Sequence, residues 1–188
     1  MLVHLLISGL VSCCFLLVGI IGENMLGPGT WLILNVQECA RDSEMPWRVR
    51  VRRHKLNRTH DAFNGNVSLL EDLDESYGGR LEICKMVIGG CKHFSTRKTD
   101  CLAESVKKYG EESARRAFAF VGIDPPTFPI PKGDYHAENY LANMSNVLKE
   151  GVYGEFKTDC YIVKDGMDVA CLQMYVKYEP VNNYDYDD

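Results

Sequence analysis

The chain has 188 residues, enough for one domain of ordinary size. Apolar residues make up 46% and charged residues 25%, a balance that supports a real core and excludes a disordered polyelectrolyte. The formal net charge of -5 argues against general nucleic-acid binding, which needs a basic surface.

Residues 2–21 are almost wholly apolar and carry no Lys, Arg, Asp or Glu, and polarity begins at Glu23. This pattern predicts a secretory signal peptide over residues 1–22. A retained signal anchor is the rival reading, because His4 alone stands where basic residues are usual and about 20 apolar residues can span a bilayer. Cys13 and Cys14 would leave with the signal, and Cys39, Cys84, Cys91, Cys101, Cys160 and Cys171 would remain. An even set in an exported domain points to disulfides. No Cys-x-x-Cys occurs, and His54, His60, His93 and His136 are dispersed, so no metal site is expected. Three sequons, at Asn57, Asn66 and Asn143, are candidate N-glycosylation sites and place those segments at the surface.

Short strands are predicted along most of the mature chain. Residues 31–39 form an apolar run entered through Gly27-Pro28-Gly29. Residues 47–55 alternate, with Trp47, Val49 and Val51 on one face and Arg48, Arg50 and Arg52 on the other. Asn64-Gly65 is read as a turn before a strand at 67–73, and residues 81–86 form another strand. Residues 102–108 and 112–120 favour short helices, and Asp124-Pro125-Pro126 stops them. Residues 135–141 return to strand. Residues 154–163 and 167–178 read as a hairpin about Asp165-Gly166, with Ala170, Leu172, Met174, Val176 and Tyr178 on one face. The acidic, tyrosine-rich tail spans 180–188. The expected fold is all-β: an immunoglobulin-like antiparallel β-sandwich or β-cup, disulfide-stapled, with a helical insertion near 102–120. The expected divisions are signal 1–22, domain 23–179 and tail 180–188.

Five local features resemble the ML (lipid-recognition) superfamily, the ganglioside activator branch in particular. They are Gly65-Asn66-Val67-Ser68-Leu69; the span from Cys84 to Cys91 with Ile88-Gly89 just before its end; Pro129-Ile130-Pro131-Lys132-Gly133-Asp134-Tyr135; Gly151-Val152-Tyr153; and Cys171-Leu172-Gln173-Met174-Tyr175. Their order and spacing cover roughly residues 31–178. The resemblance implies two sheets splayed around an apolar pocket. It also implies the disulfides Cys84–Cys91 and Cys39–Cys171, and leaves Cys101 and Cys160 as a pair by elimination. The family has a cysteine where Phe128 stands here, so that part of its pattern is broken. A competing pair, Cys160–Cys171, arises if Asp165-Gly166 is a plain two-residue turn, which sets those residues opposite each other.

The function implied by the resemblance is that of a secreted, or lysosomally delivered, lipid-binding protein. It would hold an acyl chain for extraction, transport or presentation, at about 0.8 kcal/mol per buried methylene. The ligand would be a glycolipid, phospholipid, fatty acid or sterol. A hydrolase or receptor is the expected protein partner, with transient contact at a membrane surface. The apolar stretch 118–123, with Phe118, Phe120, Val121 and Ile123, is the candidate rim; Tyr135, Tyr140, Leu172, Met174 and Val176 are candidate walls. The arginine face and the acidic tail read as solvated surfaces. No nucleophile elbow or His-Glu-x-x-His occurs, so neither catalysis nor a cofactor is expected. The alternative is a secreted recognition or signalling module with a filled core that binds another protein.

Overall fold

The computed structural model describes residues 26–41, 44–57, 60–141 and 150–180. The signal segment, the Asn143 sequon and residues 181–188 lie outside the described residues. In chain order the elements are β1 (Leu26–Glu38), β2 (Arg48–Lys55), β3 (Asp61–Leu69), β4 (Gly78–Val87), β5 (Gly90–Thr99), α1 (Leu102–Phe120), β6 (Gly133–Tyr140), β7 (Glu150–Val152), β8 (Gly154–Lys164) and β9 (Met167–Pro180). The fold is all-β, with two antiparallel sheets: β5-β4-β8-β9-β1-β7 faces β2-β3-β6.

The hairpin at Asp165-Gly166 forms as the dipeptide predicts, with φ of 49° and 76°. Positive φ at both central residues matches the right-handed twist of the flanking strands. A bulge then intervenes. Val163 pairs with Asp168, but Ile162 pairs with Ala170, so Val169 is the extra residue. The bulge shifts the register by one. Tyr161, not Cys160, lies opposite Cys171, and Cys160 faces Leu172. Because side chains alternate along a strand, Cys160 and Cys171 emerge on opposite faces of the sheet. Cys171 bonds Cys39, tying β9 to the end of β1, and Cys84 bonds Cys91 across the β4–β5 hairpin.

The pair expected by elimination does not form: Cys101 and Cys160 are both free thiols. Gly79 sits in one row with Thr99 and Ile162. Cys101 lies two residues beyond that row and Cys160 two residues short of it. About four strand residues, on the order of 13 Å, separate them along the sheet, more than a disulfide spans.

Two other expectations change. Asn64-Gly65 is not a turn but the middle of β3, paired with Arg52 and Val51. The chain reverses earlier, where the amides of Leu56 and Asn57 donate to the His60 carbonyl and the His60 amide donates to Asn57 Oδ1. Strand β5 carries no strand signal in its sequence, because it is an edge strand exposed on both faces and lacks apolar alternation. The helices expected at 102–108 and 112–120 are the two arms of α1, broken at Gly110.

The sheets close on each other at one end. Trp47, Leu69, Leu73, Tyr77, Ile123, Ile130, Val169 and Ala170 form the core there. The Trp47 amide donates to Val169 O at 3.0 Å, and Leu73 and Ile130 exchange two backbone bonds. A smaller cluster of Cys39, Met45, Tyr161 and Cys171 packs on the outer face. Along one side, the Arg53 guanidinium donates to Leu34 O at 2.6 Å, where β1 bulges, and pairs with Asp61. That contact fastens β2 to β1 across the sheet boundary.

Candidate functional site

The inner face of the six-stranded sheet follows from its register. Leu172, Met174, Val176 and Tyr178 on β9 align with Cys160, Thr158, Phe156 and Gly154 on β8. Trp31, Ile33 and Val36 join them on β1, and Leu81 and Ile83 on β4. Ala170 continues this face into the closed-end core. The opposing sheet presents Val49, Val51, Phe63, Val67, Tyr135, Ala137 and Tyr140.

Burial is uneven along this space: Val36, Phe156, Thr158 and Tyr178 on the six-stranded sheet are at most 8% exposed. At the closed end the core residues are at most 9% exposed. Midway, Leu172, Met174, Val176, Trp31, Ile33 and Ile83 are only half-buried, and Leu81 is 39% exposed. Val49, Val51, Phe63 and Val67 opposite are half-buried too. A filled sandwich packs its facing side chains at the density of an organic crystal. Leu172, Met174 and Val176 on one sheet and Val49, Val51 and Phe63 on the other keep some solvent contact, short of that density.

At the other end, aromatic rings run across the same face of the six-stranded sheet, with Tyr178 and Phe156 at most 4% exposed. Phe94 meets Phe156 at 5.4 Å between centroids, Phe156 meets Trp31 at 6.4 Å, Trp31 meets Tyr178 at 4.8 Å, and Tyr153 stacks on Tyr178 at 5.6 Å. Edge and tilted contacts of this kind hold rings rigidly. Burial raises the hydroxyls of Tyr178 and Tyr140 above the usual tyrosine range, and it pushes the Cys160 thiol up to about 12. These groups therefore stay neutral, and Lys85 puts a charge at these rings, its ammonium lying over the Phe156 ring at 5.8 Å.

The residues expected to form the site divide. Leu172, Met174 and Val176 share the inner face, and Tyr140 lies on the opposing sheet against Phe120 at 5.1 Å. Tyr135 packs against the closed-end core and donates its hydroxyl to Pro131 O. The stretch 118–123 divides, with Ala119, Phe120 and Gly122 exposed and Ile123 buried. The Ile123 amide donates to Phe118 O and the Gly122 amide to Ala119 O, with Gly122 at φ +83°, which is a Schellman ending. That turn brings Ile123 and Phe118 together in the core, with Val121 against it, and leaves Phe120 49% exposed. Sequence reasoning does not single out Trp31, Phe156, Phe94, Ile33 and Ile83 as lining residues. The period-two spacing of Phe156, Thr158, Cys160 and Ile162 was the available signal.

Two hollows of about 250 and 380 Å³ lie outside the sheets at the closed end. Asp74, Glu75, Ser76 and Pro129 line the first; Leu70, Tyr77 and the charged Glu71, Asp72, Asp74, Lys132 and Lys164 line the second. Asn57 and Asn66 are exposed, Asn66 on the outer face of β3 beside His136. Among the described residues, no group of three or more His, Cys, Asp or Glu could hold a metal ion, and no helix is long and apolar enough to cross a membrane. No protein-family model matches the chain, and no curated protein matches its sequence.

Proposed function

We propose that this protein is a lipid carrier of the ML type, exported through the secretory pathway and glycosylated, that shelters an acyl chain between its sheets. The observation that supports the reading is the partial exposure of facing apolar residues, Leu172, Met174 and Val176 on one sheet and Val49, Val51 and Phe63 on the other, between the Trp47–Tyr77 core and the aromatic rings. A hydrocarbon chain laid there removes its own surface and that of Leu172, Met174 and Val176 from water. At about 25 cal/mol per Å² of apolar surface, burial alone supplies useful affinity. A polar headgroup stays at the mouth. The lining is largely apolar, with the Lys85 ammonium over the Phe156 ring at 5.8 Å, so length and shape of the chain would select the ligand and a negative headgroup would be favoured at that end.

Nothing in this chemistry needs a nucleophile, so the protein acts by binding: lifting a lipid from a membrane, carrying it, or presenting it to a hydrolase or receptor. The test is organic extraction of protein secreted by eukaryotic cells and purified without detergent, followed by mass spectrometry, with displacement of a fluorescent fatty acid in parallel. The expected result is a stoichiometric lipid and saturable displacement. Neither a lipid nor displacement would reject the carrier and leave a secreted protein-recognition module.

A further inference from the structure

We infer that the tip of the β4–β5 hairpin docks the protein on an anionic lipid bilayer; this rests on the carrier reading and names the surface from which the cleft would be loaded. Strand β4 starts at the closed end, where Gly79 meets Leu102, and runs to the other end. Its last residue paired with β8 is Lys85, opposite Phe156. Residues 86–90 run past the last pairing with β8 and are held only by β5, level with the Lys177–Glu179 end of β9. The Cys84–Cys91 disulfide staples the base of this tip. Gly89 and Gly90 turn it with φ of +98° and +132°, where a side chain would be strained.

The tip carries Met86, Val87 and Ile88, and all three are exposed, Ile88 completely. Met86 and Val87 keep 37% and 48% of their surface in solvent, and Ile88, at the braced turn, buries nothing in the monomer. Isolated surface apolar residues need no explanation, but a contiguous exposed group does. Charge supplies the occupant. From Ile83 to Thr99 the chain carries Lys85, Lys92, Arg97 and Lys98 and no carboxylate, although the whole protein has a net charge of -5. Lys85 and Lys92 lie opposite each other just behind the tip. In a bilayer the apolar residues would enter the acyl region while the two ammonium groups met headgroup phosphates and carboxylates, the division of labour of interfacial anchors. That end of the cleft would then face the membrane.

The test uses the mature protein with vesicles of phosphatidylcholine alone or of phosphatidylcholine mixed equally with phosphatidylserine, read by co-sedimentation. Wild type is expected to bind the anionic vesicles more tightly. The double variant Val87→Ser/Ile88→Ser should lose about tenfold or more of that binding, since two side chains no longer leave water. It should displace the fluorescent fatty acid in solution as wild type does. Lys85→Gln/Lys92→Gln should erase the preference for anionic vesicles. Unchanged vesicle binding in both variants overturns the docking role even if the cleft holds lipid. Tip-dependent vesicle binding without any fatty-acid displacement supports the docking role and rejects the carrier. A wild-type dimer in sedimentation that the serine variant dissolves overturns the inference, because a second copy would then cover the tip.

Discussion

Met174→Trp separates an open cleft from a filled core. Met174 lies midway along β9, between Thr158 on β8 and Val36 on β1, with its half-buried side chain aimed at the opposing sheet. In a close-packed sandwich the larger ring has nowhere to go, and overpacking costs about 1–3 kcal/mol. For a domain of this size that is a fall in Tm of roughly 2–12 °C, at about 2–4 °C per kcal/mol. In an open cleft the indole projects into space, and the stability of the ligand-free protein changes by no more than about 0.5 kcal/mol. The ring then competes with the ligand. Displacing three methylenes costs the ligand about 2.4 kcal/mol at about 0.8 each, roughly a fiftyfold loss of affinity. The paired assays are thermal unfolding of delipidated protein and displacement of a fluorescent fatty acid. A large fall in Tm with unaltered displacement would refute the reasoning, because it would mean that the facing side chains interdigitate at Met174 and that the ligand lies elsewhere.

Removing Cys39–Cys171, which spans 132 residues, should cost about 5 kcal/mol by chain entropy, against about 2.5 kcal/mol for Cys84–Cys91, which spans 7; urea unfolding of the paired Ser variants checks the ranking, and equal losses would contradict it. Stability should decline in alkaline solution. Cys160 ionises at 9.0 when unperturbed and at about 12 in the fold, and Tyr77 moves from 10.0 to about 12, both mainly through burial. Folding thus favours the protonated forms; this contribution is complete below pH 9 and is lost as the pH rises toward 12, and Tyr77→Phe should flatten that part of a pH–denaturation profile. For the same reason Cys160 should resist alkylation by iodoacetamide at pH 8 in the native protein and react readily in urea, as followed by peptide mass. Gly166→Ala, at φ +76° in the β8–β9 turn, should cost about 1 kcal/mol, whereas Gly29→Ala should cost more because its new methyl group would run into the Glu179 carbonyl and the Tyr178 ring.

Much of this molecule was legible from local pattern. The alternation of Val49 and Val51 with Arg48, Arg50 and Arg52 gave β2 and its inward face, because side chains on a strand alternate whatever the partner. Asp165-Gly166 gave the last hairpin, because few dipeptides accept positive φ at both positions. The alternating apolar face of residues 170–178 put Leu172, Met174 and Val176 together on the inner face. These features depend on the conformational limits of a few neighbouring residues, and the sequence alone determined them. The tertiary structure decided what local pattern could not encode. One bulged residue, Val169, set Tyr161 rather than Cys160 opposite Cys171, removing the competing Cys160–Cys171 pair, and turned Cys160 inward. A Schellman turn drew Ile123 from the expected rim into the core. Whether the two apolar faces meet or stand apart depends on how closely the sheets approach, and that is set by contacts far apart in the chain, such as Trp47 on Val169 and Arg53 on Leu34. The same alternating sequence serves a solid core and a cleft equally well; only the spacing of the sheets distinguishes them.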